Sequence, residues 1–252
     1  MRRVWPDPVE LDDDGLLAAY ALDRQRPHLR VNFVSSLDGA VEEGGYSRGL
    51  SNPADQRVLQ LLRVHADAVM VGGGTLRHEG YGPMRLAPPL VEQRRRRGLT
   101  EQPTLVVVSA GLDFDPEHRM FADAPVRPVV LTHQGSDPAR RSALGRVAEV
   151  VLTGESVVDL ARGLSELGER GLGQVLCEGG PHLFGSLLAA DLVDELCLTV
   201  SPLLTGPGAG RIVAGPTRSG PLPLRLLHVI EVDSTLITRY GRGEGAVRPE
   251  SP

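Results

Sequence analysis

Residues 68–79, with the sequence AVMVGGGTLRHE, carry the pattern that decides the predicted fold. The apolar run 68–71 is typical of a buried strand, and the three glycines at 72–74 lead into a helical segment that opens at Thr75. Glycines let the backbone turn tightly with its N–H groups exposed, and the start of a helix adds partial positive charge. The stretch is a candidate phosphate cradle, although glycines also mark many strand-to-helix turns that bind nothing.

A second turn of the same kind follows later in the chain. Residues 174–177 predict a strand, residues 178–180 (Glu-Gly-Gly) predict the turn, and Pro181 stands at the first position of the next helix. In a parallel sheet both turns lie at the carboxyl edge of the strands, where open α/β sheets bind their ligands. Two such turns on one edge suit the pyrophosphate of a dinucleotide.

The whole chain predicts a single α/β domain with a mixed, mainly parallel sheet and helices on both faces. Nearly continuous apolar strands that alternate with helices favour a parallel sheet; the strands are residues 29–36, 104–109, 128–132 and 147–152, and the helices are residues 137–145 and 157–169. Residues 224–232 and 235–240 predict an antiparallel hairpin around Asp233 and Ser234. We predict an N-terminal extension packed on the domain at 1–27, the domain itself at 28–241, and a disordered tail at 242–252.

Composition excludes several classes of function. The 252 residues are 41% hydrophobic and carry a net charge of −5, which is typical of a globular protein and argues against nucleic acid as a partner. No apolar run reaches the ~20 residues that cross a bilayer, and the N-terminus has no signal-peptide core, so we predict a cytoplasmic protein without a membrane partner. Cys177 and Cys197 lie in apolar runs and are expected to be buried thiols, with no metal site.

All 27 basic residues are arginines, because the sequence contains no lysine. Schiff-base chemistry and P-loop binding, both of which need a lysine, are therefore excluded. Arginine, hydroxyl or backbone groups must bind any phosphate. The four arginines at 94–97 follow a Pro-rich linker and are predicted to lie in a solvated loop.

Strong signals mark the start of a helix at residues 52–65. Asn52 is the predicted N-cap, Pro53 takes the first helical position, and Asp55 is expected to complete a capping box. His65, at helical spacing from the apolar positions, is expected to be a packing histidine.

Six motifs, in order, resemble the reductase domain of riboflavin-biosynthesis deaminase-reductases, within the dihydrofolate reductase-like superfamily. They are SLDG (36–39), SNPADQRVLQLLR (51–63), ADAVMVGGGT (66–75), YGPMR (81–85), EGGPHLFGSLL (178–188) and DLVDELCLTVSP (191–202). The resemblance implies a sheet of about eight strands, a homodimer, and NADPH as cofactor. It also implies reduction of the ribosyl side chain of 5-amino-6-(5-phosphoribosylamino)uracil to the ribityl form. No deaminase zinc signature precedes the motifs, so we predict a stand-alone reductase domain.

The resemblance further implies roles for individual residues. Glu178 matches a carboxylate that faces the substrate beside the nicotinamide, and Asn32 stands where bacterial members often carry a lysine and could donate a hydrogen bond to the sugar. The implied substrate contacts are Ser47, Arg63 and Arg85. The implied cofactor contacts are Val34, Gly73, Gly74, Thr75, Glu79, Ser109, Gly179, Gly180, Pro181, His182, Leu183 and Phe184.

The chemistry of these residue types agrees with the resemblance and leaves alternatives open. Arginine forks bind phosphomonoesters, so Arg63 and Arg85 with the Ser47 hydroxyl make a plausible ribose-phosphate site. Glu178 could orient the substrate, relay a proton, or merely satisfy a helix start. A pterin reductase, with Asp55 holding the ring, is the alternative enzyme. A non-catalytic NADP-binding regulatory protein is the alternative from another class.

Overall fold

The computed structural model describes residues 1–243 and has one mixed sheet as its centre. The strands are β1 (Arg2–Trp5), β2 (Val9–Glu10), β3 (His28–Ser36), β4 (Ala68–Gly72), β5 (Thr104–Val108), β6 (Val129–Thr132), β7 (Glu149–Leu152), β8 (Gln174–Cys177), β9 (Glu195–Ser201), β10 (Leu224–Val232) and β11 (Thr235–Arg242). The helices are α1 (Asp13–Ala19), α2 (Pro53–His65), α3 (Gly73–Glu79), α4 (Pro88–Arg96), α5 (Arg119–Ala122), α6 (Pro138–Leu144), α7 (Leu160–Glu169) and α8 (Pro181–Ala189), with a 3-10 turn at Ser47–Gly49.

The sheet has the order β2-β1-β10-β11-β9-β3-β8-β4-β5-β6-β7. Strands β9, β3, β8, β4, β5, β6 and β7 run parallel to their neighbours, whereas β11, β10, β1 and β2 continue the sheet in antiparallel pairs. The mixed α/β fold and the C-terminal hairpin are therefore confirmed. The expected number of about eight strands was wrong, since the sheet formed by residues 1–243 has 11. Residues 1–27 contribute to this difference, because β1 pairs with β10 and β2 pairs with β1.

Three apolar clusters fill the two faces of the sheet. Leu16, Leu17 and Tyr20 of the N-terminal extension are almost fully buried against α2 and the hairpin. Cys197 is buried in this cluster and Cys177 in another one, so both thiols are buried as predicted. The predicted tail begins inside β11, which ends at Arg242, and its residues 244–252 lie outside the described part of the chain. None of the helices formed by residues 1–243 has the length and apolar character needed to cross a membrane.

The arginine run at 94–97 is not the solvated loop that the sequence predicted. Helix α4 extends through Arg96, and the Arg94 side chain is fully buried. Its guanidinium donates to the carbonyls of Arg63 and Val64 at 3.1 Å each, and to the Thr100 carbonyl at 2.6 Å. Side chains at successive helix positions point in different directions, so only one arginine of the run reaches the carbonyls at the end of α2, which have no partner within that helix. Burial lowers the pKa of Arg94 to about 10, which Asp67 partly offsets.

Two histidines, His65 and His228, are buried in the core. Nε2 of His65 lies 2.9 Å from the Leu17 carbonyl, and the His228 ring meets the edge of Tyr20 at 4.8 Å between centroids. Burial, followed by nearby arginines, lowers the pKa of each to about 4 from an ordinary 6.5. His65 is thus the packing histidine that the sequence predicted.

These depressed pKa values predict acid sensitivity. Between pH 6.5 and 4 the unfolded chain binds protons at these two histidines that the folded chain does not. The contribution of the neutral histidines to the free energy of unfolding is therefore complete above pH 6.5 and is lost as the pH falls through 4. Each histidine should contribute about 3 kcal/mol to this loss. We expect His228→Gln to flatten the fall in urea-unfolding free energy between pH 7 and 4.5. The exposed control His118→Gln should reproduce the wild-type slope, and an unchanged slope in His228→Gln would contradict the prediction.

Candidate functional site

The two glycine turns lie side by side at the carboxyl edge of the sheet, as the sequence predicted. Strands β4 and β8 are parallel neighbours, and the Gly72 N–H donates to the Gly179 carbonyl at 2.8 Å. A Cβ on Gly180 would stand 2.1 Å from Oγ1 of Thr75, so only glycine lets the turns approach this closely. The Gly179–Gly180 peptide is cis. Helix α3 opens at Gly73, slightly before the predicted start.

A cavity of about 550 Å³ opens beside these turns. Strand β3 and helix α2 form further walls, and the loop that follows β3 contributes Ser47 and Arg48. Most of the predicted site residues line this cavity: Asn32, Val34, Ser47, Asp55, Arg63, Gly74, Thr75, Glu79, Glu178, Gly180, Pro181, His182 and Leu183.

A buried ion pair joins α2 to the second turn. Nε and Nη2 of Arg63 donate to Oε1 and Oε2 of Glu178 at 2.6 and 2.7 Å, a bidentate pair whose carboxylate is only 3% exposed. The Tyr81 hydroxyl donates to Oε2 at 3.3 Å. Burial opposes charge on Arg63, but Glu178 outweighs burial and raises the pKa of Arg63. Burial, then Glu178, raises the pKa of Tyr81 well above its usual range, which keeps the phenol neutral.

Helix α2 presents a row of residues to the cavity at a spacing of four. Asp55, Leu59 and Arg63 all line it, because positions four apart share one face of a helix. The N-cap is made by Asn52 as predicted, with its side chain accepting from two backbone amides. The Asp55 carboxylate does not complete the expected capping box: it accepts from the Ser51 hydroxyl at 2.5 Å. Burial raises the pKa of Asp55, and hydrogen bonds from Ser51 and Thr199 oppose the shift.

The loop after β3 is docked on α3. The Ser47 N–H donates to Oε1 of Glu79 at 3.1 Å, and the Tyr46 ring stacks on His78 at 4.9 Å between centroids. The Arg48 guanidinium lies 4.3 Å from the centre of the Tyr46 ring. These contacts hold Arg48 and Ser47 at the cavity, which the Glu79 side chain also lines.

A family model described as the RibD C-terminal domain matches residues 27–238. The chain belongs to this family. The RibD C-terminal domain of this chain is 31% identical over 182 residues to a 2,5-diamino-6-ribosylamino-4(3H)-pyrimidinone 5′-phosphate reductase of Archaeoglobus fulgidus, covering 72% of the chain and 83% of that protein. A similar reductase of Methanothermobacter thermautotrophicus is also 31% identical, with 72% and 80% covered. A pyrimidine reductase-like protein from Corynebacterium diphtheriae is 28% identical with a TM-score of 0.79, and the match covers 86% of this chain and 92% of that one.

Five predicted site residues of this RibD C-terminal domain do not line the cavity. Gly73 packs under Phe114, since a Cβ there would lie 2.7 Å from the ring, and Oγ of Ser109 accepts from a backbone N–H within its own turn. Arg85 is exposed and donates to the Asp123 carbonyl at 3.2 Å. The other two, Gly179 and Phe184, pack against the Phe33 ring.

Sequence reasoning did not single out several cavity residues: Ser51, Gln56, Leu59, Arg48, His78 and Tyr81. Tyr81 opens the motif YGPMR, but nothing local shows that its hydroxyl reaches Glu178. Leu59 lies four positions after Asp55, and a helical projection around that residue is the signal that could have found it. Residues 1–243 bring no group of His, Cys, Asp or Glu side chains into a metal-ligating cluster.

Proposed function

We propose that this chain is an NADPH-dependent reductase that transfers a hydride to the ribosyl side chain of a phosphoribosylaminopyrimidine in riboflavin biosynthesis. The observation that carries the proposal is the meeting, in one cavity, of two paired glycine turns and the Arg63–Glu178 pair. Its relatives from two archaea are named as reductases of such a pyrimidinone phosphate. The glycine turns suit a dinucleotide, and the ion pair suits a polar phosphorylated substrate.

The residues at the glycine turns fit a nicotinamide dinucleotide. A Cβ on Gly74 would meet no atom within 4 Å, so there is open space over the first turn. A ligand phosphate can therefore approach the backbone of this turn closely. We assign the pyrophosphate to the Gly74–Thr75 and Gly180–Pro181 segments, with Val34 beside the nicotinamide. When bound, NADPH supplies the hydride. Further proposed contacts to the cofactor are made by Glu79, His182 and Leu183. The remaining residues do not line the cavity and instead pack against the glycine turns: Gly73, Gly179, Ser109 and Phe184.

The substrate residues divide into an anion site and a sugar site. Arg63 uses Nε and Nη2 on Glu178, which leaves Nη1 for a phosphate oxygen beside Arg48 and the Ser47 hydroxyl. We place the Asn32 amide and the Glu178 carboxylate on the sugar, where they orient its oxygens and hold a proton in place as the hydride arrives. Arg85 reaches this site only if its segment moves on binding.

The reductase reaction is tested by oxidation of NADPH in the presence of each pyrimidine phosphate and, separately, of dihydrofolate. We expect turnover with a pyrimidine phosphate, no turnover with dihydrofolate, and product heavier by two hydrogens. Turnover of dihydrofolate alone would favour the pterin reductase, for which Asp55 in the cavity is the supporting observation. NADPH binding without turnover of any substrate would favour the regulatory protein.

We expect NADPH to bind at least about tenfold more tightly than NADH, a difference of about 1.4 kcal/mol. The resemblance and the many arginine and hydroxyl side chains near the first turn support this preference. Titration of protein fluorescence with each cofactor measures this preference, and equal affinities would refute it.

Sedimentation of the same sample tests the homodimer that the resemblance implies.

A further inference from the structure

The relatives and the resemblance point to two pyrimidine rings that differ at one position. The archaeal relatives are named for a 2,5-diamino-pyrimidinone, which carries an amino group at C2. The uracil implied by the resemblance carries an oxygen at C2. The edge formed by C2 and N3 therefore offers two N–H donors in the first ring, and one donor beside one acceptor in the second.

The cavity residues of α2, which are Asp55, Leu59 and Arg63, give the cavity two chemically different ends. Arg63 stands at one end and Asp55 at the other, and eight residues at 1.5 Å each separate them by about 12 Å along the helix. The apolar Leu59 lies between them. A ribosylaminopyrimidine phosphate has its anion at one end, its sugar in the middle and its ring at the other end. With the phosphate at Arg63, the ring lies toward Asp55.

Asp55 is built as a fixed acceptor. The residue is 5% exposed, and its Oδ2 accepts from the Ser51 hydroxyl at 2.5 Å, with a further hydrogen bond from Thr199. An ionised carboxylate has about four lone-pair sites, so acceptor capacity remains on the side that lines the cavity. A buried acceptor that a ligand leaves unpaired costs about 1–3 kcal/mol, more when it is charged.

We propose that Asp55 accepts hydrogen bonds from the 2-amino group and N3–H of the pyrimidinone, and thereby selects the 2-amino substrate over the 2-oxo uracil. The inference rests on the proposed function and adds the identity of the ring. A carboxylate matches two adjacent donors in a bidentate pair, as it matches a guanidinium. Against the uracil edge it makes one hydrogen bond and repels the C2 oxygen, which is a built-in rejection of that ring.

The test compares kcat/KM for the two rings in the wild type and in Asp55→Asn. We expect the wild type to prefer the 2-amino substrate by about 100-fold. Asparagine presents one acceptor and one donor, which matches N3–H and the C2 oxygen of uracil. Asp55→Asn should therefore lose about 100-fold on the 2-amino substrate and gain on the uracil, with NADPH affinity unchanged.

Control variants separate recognition from folding. The exposed Asp7→Asn should keep the wild-type preference, and Ser51→Ala, which removes the hydroxyl that orients the carboxylate, should weaken it in the same direction as Asp55→Asn. If Asp55→Asn does not fold, Ser51→Ala decides. Equal or greater wild-type activity on the uracil, or an unchanged preference in the variants, overturns the proposal while leaving the reductase function intact. Absence of turnover with both rings overturns both.

Discussion

Glu178→Gln should reduce kcat/KM for the pyrimidine substrate by about 1,000-fold. The variant keeps the shape of the side chain but removes the charge that holds Nε and Nη2 of Arg63. An arginine left buried without its partner costs several kcal/mol, so the free energy of unfolding should also fall by about 3 kcal/mol. Steady-state kinetics and urea unfolding on the same preparation measure both effects.

Two controls distinguish the loss of chemistry from the loss of stability. The double variant Arg63→Met/Glu178→Met removes both charges and should regain most of the stability while staying inactive, because apolar residues often replace a buried pair without cost. Glu92→Gln removes a carboxylate from an exposed ion pair with Arg96 and should change neither quantity measurably. Wild-type turnover in Glu178→Gln would remove the carboxylate from the proposed mechanism.

Gly74→Ala should weaken NADPH binding by about 100-fold without loss of stability. The added methyl group would meet no protein atom within 4 Å, and alanine is the better helix former, so the folded protein should tolerate it. The same space is where we place the pyrophosphate, and a methyl group there keeps the ligand from the backbone amides. Calorimetric titration measures the dissociation constant of NADPH, and thermal unfolding measures the stability of the variant.

A glycine elsewhere in the chain provides the matched control. Gly168 lies in α7, and a Cβ there would also meet nothing within 4 Å. Gly168→Ala should therefore leave both NADPH affinity and stability close to wild type. If Gly74→Ala bound NADPH as tightly as Gly168→Ala, the first glycine turn would not be the cofactor cradle.

The parts of the fold that were predicted are those with a local cause. Glycines after an apolar strand, Pro181 at a helix start and a turn at Asp233–Ser234 each act on the backbone at their own position. The parallel order then placed the two glycine turns at one edge. The expectation of about eight strands came from the resemblance. Short strands such as β2, which spans only Val9–Glu10, have no periodicity in the sequence that could have corrected it.

The parts that were missed depend on contacts between distant residues. Arg94 is fully buried because the carbonyls at the end of α2 lie against it, whereas arginine is ordinarily exposed. The Tyr81 hydroxyl reaches Glu178, which lies 97 positions away in the sequence. The Asp55 carboxylate accepts from the Ser51 hydroxyl and lines the cavity, instead of accepting from the backbone N–H of the N-cap. No spacing in the sequence specifies these side-chain directions.

We propose that this cavity delivers a hydride from a nicotinamide to the sugar of a phosphoribosylaminopyrimidine. Hydride transfer is followed with NADPH deuterated on the transferred face of C4 of the nicotinamide, by mass and NMR analysis of the product. We predict one deuterium, located on C1′ of a new ribityl chain, in the wild type and none in Glu178→Gln on the same time scale. Deuterium in the pyrimidine ring, or a product without deuterium, would contradict it.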